Sequence, residues 1–321
     1  MRLEAGRAMI GDVTGRLMLL DTASLYFRAF HGLPDTIRAP DGSPVNAVRG
    51  LLDIIARLVT DFEPSELVAC WDDNWRPHWR VALIPGYKSH RVAELVPSGN
   101  DVEETPELLV PQLPIIRELL GALGIPIIGA DDNEADDVIG TLATRAQLPV
   151  DIVTGDRDLF QLVDDESGVR VIYTARGMSK LEFVTDSVVV SKYGVLPGQY
   201  ADFAVMRGDP SDGLPGVPGI GEKTAAGLLA QFGGLGGIIE AAQDQATPLS
   251  ASVRSKVIAS SAYLKVAPRV VEVVRDLDLG EVDARIHPLD ADRLNALHML
   301  SEKWGLGRSL DRALRALGAT D

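Results

Sequence analysis

Three apolar runs in this chain each end on an aspartate, and that recurrence constrains the fold more than any other feature. Residues 16–21 (RLMLLD), 66–72 (ELVACWD) and 149–156 (PVDIVTGD) read as strands closing on Asp21, Asp72 and Asp156. Near-continuous apolar runs of this length are the mark of strands buried on both faces of a parallel sheet. Helical patterns separate them. TASLYFRAF follows the first, with Thr22 available as N-cap. A second helix opens at DGSPVNAVRG, with Pro44 near its start, and runs through LLDIIARLV. Parallel strands joined by helices bring their carboxyl ends to one edge, where open α/β sheets bind ligands. One aspartate at a strand end is often only a turn residue; three form a pattern.

Residues 131–158, DDNEADDVIGTLATRAQLPVDIVTGDRD, concentrate that pattern. They place Glu134, Asp136, Asp137, Asp156 and Asp158 in one helix–strand unit, with a helix over 138–146 and a buried strand over 149–154. Glu134 and Asp137 are three apart and share a face. Asp136 joins them only if it lies in the first turn, where side chains splay around the helix end. Asp156 and Asp158 fall in the loop beyond the strand. For EADD alone, an ordinary acidic helix start stabilised by the helix dipole weighs as much as a functional site. The repetition of strand-end acids tips the balance. So many like charges at one edge call for counter-charge, and hard divalent cations take carboxylate oxygens.

The net charge of −15, from 31 basic and 46 acidic residues, argues against nucleic acid if taken alone. Setting aside the nine acids assigned below to the site leaves 31 basic against 37 acidic residues, and basic residues cluster in 76–91. The charge therefore predicts a polarised surface rather than excluding DNA. No apolar run reaches membrane-spanning length. The first fifteen residues, MRLEAGRAMIGDVTG, lack an apolar signal core and a cleavage site and read as a disordered tail. The one cysteine, Cys70, lies in a strand pattern as a core residue, so no intramolecular disulfide forms; this fits a reducing cytoplasm. The five histidines are scattered and make no zinc cluster.

In NWRPHWRVALIPGYKSHR, Arg76, Arg80, Lys88 and Arg91 alternate with Trp75, Trp79 and Tyr87. Cations attract phosphate and aromatic faces stack on bases, so the segment reads as a nucleic-acid surface. The alternative is a surface helix with its tryptophans packed inward. Pro77, Pro85 and Gly86 make the segment mobile in this reading, and the polar residues 92–105 poorly ordered. TPELLVPQLPIIRELLGALG predicts a helix from Thr105–Pro106 to Gly124; IPIIGA a strand; RDLFQLV a short helix; VRVIYTAR with MSKLEFVT a hairpin. Beyond residue 185 the patterns are mainly helical. Asp209 and Asp212 are placed on one face of a helical turn, and Gly216–Gly221 leads into a helix starting near Glu222. Glycine-rich backbone ahead of a helix can hold a phosphate, with Lys223 adding charge. GxPGIGxKTA between hydrophobic helices resembles the helix–hairpin–helix class, which grips a DNA backbone without reading sequence. The terminal GRSLDRALRAL reads as amphipathic scaffold.

Taken together, LLDTASLYFRAF, WD at 71–72, WRVALIPGYKSHR, EADD, TGDRDLFQL and GDPSDGLPGVPGIGEKTA resemble, in order and spacing, the bacterial 5′-nuclease or flap endonuclease family. That family includes the 5′→3′ exonuclease domain of bacterial DNA polymerase I and related phage enzymes. The resemblance covers about residues 16–285, and the chain reads as a stand-alone member. It implies an α/β, parallel-sheet PIN-like nuclease core over 16–185 with a helical arch at about 76–105. It further implies a helical DNA-binding domain over 186–321, with a helix-three-turn-helix motif at about 207–232. Asp21, Asp72, Glu134, Asp136, Asp156 and Asp158 are then ligands, direct or through water, of two or three Mg2+ or Mn2+ ions. Asp137, Asp209 and Asp212 complete the acidic set. Lys88 and Arg91 match positions at the scissile phosphate, with Arg80 and Tyr87 beside them. Gly216, Gly219, Gly221, Lys223 and Thr224 would meet the DNA backbone, with potassium in the 216–221 turn on the carbonyls of Val217 and Ile220. Two departures stand out: Gly213 replaces an expected asparagine, and 92–105 is long.

The expected activity is metal-dependent hydrolysis of phosphodiesters near the 5′ end of branched or flapped DNA, leaving 5′ phosphates. The expected setting is replication and repair, as a cytoplasmic monomer with functional links to a DNA polymerase and a ligase. Two other readings compete. A non-catalytic branched-DNA-binding protein needs only the turn and the basic segment. A metal-dependent ribonuclease or small phosphatase on a similar core would not need 207–232. The complete acid set favours the nuclease.

Overall fold

The apolar runs become adjacent strands of one sheet. The computed structural model describes residues 15–96 and 99–319; the tail expected over 1–15 lies outside the described residues apart from Gly15. The N-terminal elements are β1 (Leu17–Asp21), α1 (Thr22–Gly32), α2 (Asn46–Phe62), β2 (Glu66–Cys70), α3 (His78–Leu83), β3 (Val92–Glu94), β4 (Val102–Glu103), α4 (Gln112–Ala122) and β5 (Ile127–Ile128). There follow α5 (Ala135–Arg145), β6 (Val150–Thr154), β7 (Val169–Tyr173), β8 (Glu182–Val184), α6 (Asp186–Tyr193) and α7 (Tyr200–Arg207). The last helices are α8 (Glu222–Phe232), α9 (Leu235–Gln243), α10 (Ala251–Ala259), α11 (Ser261–Val271), α12 (Ala291–Trp304) and α13 (Arg308–Ala316).

The sheet runs β5-β2-β1-β6-β7-β8, parallel except for the antiparallel β7–β8 pair. Side chains alternate across a strand, so each run feeds two cores. Leu17 and Leu19 of β1, Val68 and Cys70 of β2, and Val150 and Ile152 of β6 join α5 and helices α6 to α11. Met18, Leu20, Leu67, Ala69 and Val153 face α1, α2 and α4. Helix α2 meets them with Val48, Leu51, Leu52, Ile55, Leu58 and Val59, a stripe at helical spacing. The chain's last helices close this second core: Leu297 of α12 and Leu310, Ala313 and Leu314 of α13 are buried in it. Among the described residues no single helix is long and apolar enough to cross a membrane.

Five expectations need correction. Thr22 does not cap α1; Asp21 does, its carboxylate accepting from Ser24 N at 3.1 Å. Helix α4 starts at Gln112, because Pro111 at the cap and turns over 106–110 delay it. The arch segment is barely helical: α3 has 6 residues, Ser89–Arg91 make one 3-10 turn, and β3 pairs with β4. That hairpin also replaces the disorder expected for 92–105, of which 97 and 98 lie outside the described residues. Asp209 and Asp212 lie in a tight turn closed by an Asp209–Leu214 bridge, not a helical turn.

Candidate active site

Parallel β1, β2 and β6 end side by side, so the acids that follow them meet at one edge. The resulting open cleft has a volume of ≈ 680 Å³. Its walls carry Asp21, Asp72, Glu103, Glu134, Asp136, Asp156 and Asp209, faced by Lys88, Arg91 and Arg157. Each acid is fixed by local structure. Asp21 accepts from Thr154 Oγ1 at 2.6 Å. Asp72 lies beyond β2 and accepts the Ala135 N–H at 2.8 Å, so it satisfies one free amide in the first turn of α5. Glu134 is the N-cap residue of α5, which puts Asp136 in the first turn. Asp156 accepts from Asp158 N at 2.9 Å. Asp209 accepts from Ser211 N at 2.9 Å and from Arg207 at 3.1 Å.

Burial, and then the crowding of like charge, raises the carboxyls of the site. Burial, then repulsion by Asp72 and Asp156, pushes the Asp21 carboxyl up to about 7 against its Thr154 and Ser24 hydrogen bonds. Asp72 is raised by burial and by Glu134. Asp136 is raised well above its usual range by burial, then by Asp156 and Asp21. Asp158 is raised likewise, by burial, then by Asp156, Asp212 and Asp209. Burial raises Asp212 too. Among the described residues no three acidic, imidazole or thiol groups already gather as a finished metal shell. The donor chemistry nonetheless fits hard cations. The cleft walls offer carboxylate oxygens and neither histidine nor cysteine.

Three expected residues leave the site. Asp137 is fully buried and receives Arg80 through two bonds of 2.6 and 2.7 Å. It also accepts from Val274 N and Glu134 N. Asp137 therefore has no free face for a metal, and Arg80 none for a phosphate. Tyr87 is buried, its hydroxyl donating to Glu134 Oε1 at 2.8 Å, so its ring cannot stack on a base. Nor is the rest of 76–91 a free basic surface. Arg76 is buried against the carbonyls of Pro85 and Tyr87 and the Asp101 carboxylate. Trp79 donates to the Asp132 carbonyl. Lys88 and Arg91 do reach the cleft. Lys88 Nζ lies 2.5 Å from Glu134 Oε2, and Arg91 contacts the Ser211 carbonyl and, at 3.3 Å, Asp212.

The N-terminal resolvase-like domain of 5′-3′ exonucleases matches residues 16–194, and the exonuclease C-terminal SAM fold matches 195–292. A Streptomyces coelicolor 5′-3′ exonuclease is 57% identical over 94% of this chain and 100% of the relative. This chain belongs to the 5′-3′ exonuclease family. A Mycobacterium tuberculosis 5′-3′ exonuclease is 50% identical over 94% of this chain and 97% of its own length. A Mycobacterium bovis DNA polymerase I is 39% identical over 88% of this chain and 30% of its own length. The fold is also that of the T5 D15 protein co-crystallised with metal ions (TM-score 0.63, 18% identity, 94% of this chain and 99% of the other). It is shared by the catalytic core of Rad2 in complex with DNA substrate (TM-score 0.60, 18% identity, 94% and 92%). The protein is thus a nuclease with a resolvase-like core and a helical SAM-like region.

In this exonuclease the glycine-rich turn sits apart from the cleft walls. Gly216 has φ +67, and a Cβ there would lie 2.5 Å from Gly208 N; only glycine lets the two strands of the loop cross so closely. Gly219 is exposed, Gly221 caps α8, and Lys223 and Thr224 are exposed on its first turn. The Val217 carbonyl already accepts Ile220 N–H, and Lys256 holds the Gly219 carbonyl at 2.9 Å, so a protein cation is present in the turn. Sequence reading missed Glu103, Arg157 and Ser24 as cleft residues. Arg157 carried a signal, lying between Asp156 and Asp158. Glu103 sat in a stretch read as unstructured, and Ser24 looked like one more helix residue.

Proposed function

We propose that this exonuclease family member is a structure-specific 5′ flap endonuclease and 5′→3′ exonuclease acting on branched DNA in replication and repair. The observation that supports it most is the cleft itself: seven carboxylates but only three cations on its walls, and no nitrogen or sulfur ligand. Asp21, Asp72, Glu134, Asp136, Asp156, Asp158, Asp209 and Asp212 would hold two or three Mg2+ or Mn2+ ions, directly or through water. When bound, such ions supply activation of a water nucleophile and stabilisation of the leaving oxygen. The chain's own residues do the rest. Lys88 and Arg91, placed at the cleft, neutralise charge on the phosphoryl oxygens. Gly216, Gly219, Gly221, Lys223 and Thr224 grip duplex backbone away from the cut and set where it falls. A potassium ion on the Val217 and Ile220 carbonyls belongs to the same proposal, sharing the turn with Lys256. Residues 16–185 would be the catalytic domain and 186–321 the DNA-binding domain. The protein would work as a cytoplasmic monomer beside a DNA polymerase and a ligase.

The test is cleavage of a 5′-flap oligonucleotide with magnesium or manganese, for the wild type and for Asp156→Asn and Asp158→Asn. Both variants should lose cleavage while DNA affinity stays within about tenfold. Unchanged turnover in either removes its metal role. Flap binding without any cleavage by the wild type would leave a binding protein instead.

A further inference from the structure

The loop from Gly208 to Gly221 joins the acidic cleft to the glycine-rich turn, and Arg207 stands where its two ends meet. Arg207 is the last residue of α7. The loop returns past it: Val217 N–H bonds the Met206 carbonyl at 2.9 Å, and Gly216 crosses Gly208. The Arg207 side chain is 9% exposed and lies over the buried Phe203 ring, 5.2 Å from its centroid. Its Nη2 bonds Asp209 Oδ2 at 3.1 Å, and its Nη1 bonds Glu222 Oε1 at 3.1 Å. One buried cation is thus shared by two carboxylates, one on the cleft wall and one on the helix behind the glycine-rich turn. Its Nε is buried with no partner among the described residues. Glu222 is 62% exposed, beside Lys223 and Thr224 in the first turn of α8. The helix dipole favours an acid there. A bare carboxylate in that place would nonetheless repel a DNA backbone, and Arg207 offsets it.

We propose that Arg207 is a positioning residue that couples metal capture in the cleft to the grip on DNA at the glycine-rich turn. This rests on the nuclease reading above. A metal ion drawing on the Asp209 carboxylate loosens its hold on Arg207. The arginine's charge then falls to Glu222 and to a phosphate at the start of α8. A phosphate in that place draws Arg207 the other way and leaves the Asp209 oxygens freer for the metal. Each ligand favours the arrangement the other needs, and the linkage is reciprocal. Arg207 acts through Asp209 and Glu222 and touches no reacting atom.

The test measures DNA affinity by fluorescence anisotropy at constant ionic strength, in magnesium and in chelator. The probe is a 5′-flap duplex whose linkages around the cut are neutral methylphosphonates. These block cleavage and remove direct bridges between metal and phosphate, so any remaining effect of magnesium passes through the protein. In the wild type magnesium should tighten binding roughly tenfold, within the range of about 5–150-fold usual for coupled sites. Arg207→Gln and Glu222→Gln should both bring that ratio to about 1, the value for uncoupled sites. Their affinities in chelator should move in opposite directions: weaker for Arg207→Gln, which leaves Glu222 facing the strand, and tighter for Glu222→Gln, which removes a negative charge. Glu222→Gln carries the test if Arg207→Gln folds poorly, because it alters an exposed group and spares the Arg207–Asp209 bond. A merely structural Arg207 would shift affinity and leave the ratio intact, which overturns the proposal. So does loss of the ratio in Arg207→Gln alone, since Arg207 then only seats Asp209. Wild-type binding that magnesium does not tighten overturns it as well. The nuclease reading fails separately, if the wild type does not cut unmodified flaps with magnesium.

Discussion

Arg80 was placed beside the scissile phosphate by sequence, and the structure gives it a different task that a single substitution can check. Its side chain is 3% exposed and its partner Asp137 0%. Two nitrogens bond the carboxylate at 2.6 and 2.7 Å, and Nε donates to the Val270 carbonyl at 3.0 Å. Asp137 in turn accepts from Val274 N at 2.8 Å and Glu134 N at 3.1 Å. The pair thus ties three segments together: α3 of the arch, the first turn of α5, and the end of α11 with the chain after it. Arg80→Met keeps much of the volume but strands a buried carboxylate. Breaking a buried pair from one side costs about 3–5 kcal/mol. At roughly 2–4 °C per kcal/mol for a domain of about 150–250 residues, melting should fall by roughly 10 °C. The double change Arg80→Met with Asp137→Asn removes the stranded charge while the amide oxygen still accepts one backbone N–H. It should recover at least about 2 kcal/mol, read as a coupling energy in urea denaturation. Turnover of the folded fraction at low temperature should stay within about threefold. If Arg80→Met keeps its stability within about 1 kcal/mol and loses cleavage a thousandfold, the structural reasoning is wrong and Arg80 belongs to the chemistry.

Lys88→Ala should slow cleavage more than it weakens DNA binding, because Lys88 faces the cleft while holding Glu134 at 2.5 Å; an effect on affinity alone, by single-turnover and binding assays, would remove its catalytic role. Gly213→Asn restores the residue first expected there, yet Gly213 has φ +71 and its Cβ would lie 2.4 Å from the Gly86 carbonyl. The turn carrying Lys88, whose N–H bonds the Asp212 carbonyl at 2.9 Å, must then shift, so Gly213→Asn should cost roughly 1–3 kcal/mol and lower turnover; a silent substitution contradicts the close approach. Without divalent ions, stability should fall as pH rises from about 4 toward 7. The Asp21 carboxyl, lifted from 3.8 to about 7, keeps its proton in the folded state when the unfolded chain has lost it. Stability then decreases with pH, on the order of a few kcal/mol in total. Magnesium should reverse the loss at pH 8; a melting temperature in chelator that is flat or rises from pH 5 to 8 refutes this.

Much of the core was legible because near-continuous apolar runs at 17–21, 66–70 and 150–154 mark strands buried on both faces, and three strand ends closing on acid required a shared edge. Where Asp136 would point depended on its falling in the first helical turn, and Glu134 at the N-cap puts it there. The segment 76–105 was not legible. Its cations and aromatics read as a surface, because composition cannot tell an arginine facing phosphate from one facing a buried aspartate 57 residues away. Arg76, Arg80 and Tyr87 find partners at Asp101, Asp137 and Glu134, all remote in sequence.

The pairing also changes how the acidic cluster holds together. Nine carboxylates seemed tolerable only with captured metal ions. Four of them are balanced within the chain: Asp137 by Arg80, Glu134 by Lys88, Asp212 by Arg91 and Asp209 by Arg207. Asp21, Asp72, Asp136, Asp158 and Asp212 are shifted toward protonation by burial and one another. Internal cations and retained protons thus let the sheet edge form before any metal binds, and binding must displace those protons. Metal affinity should accordingly steepen with pH between about 6 and 8. Removing Lys88 should raise that affinity at Glu134 even as it impairs cleavage, because the ammonium now competes for the Glu134 oxygen. Isothermal titration of magnesium into Lys88→Met and wild type decides the point: weaker binding by the variant would mean that Lys88 organises the site instead of competing within it.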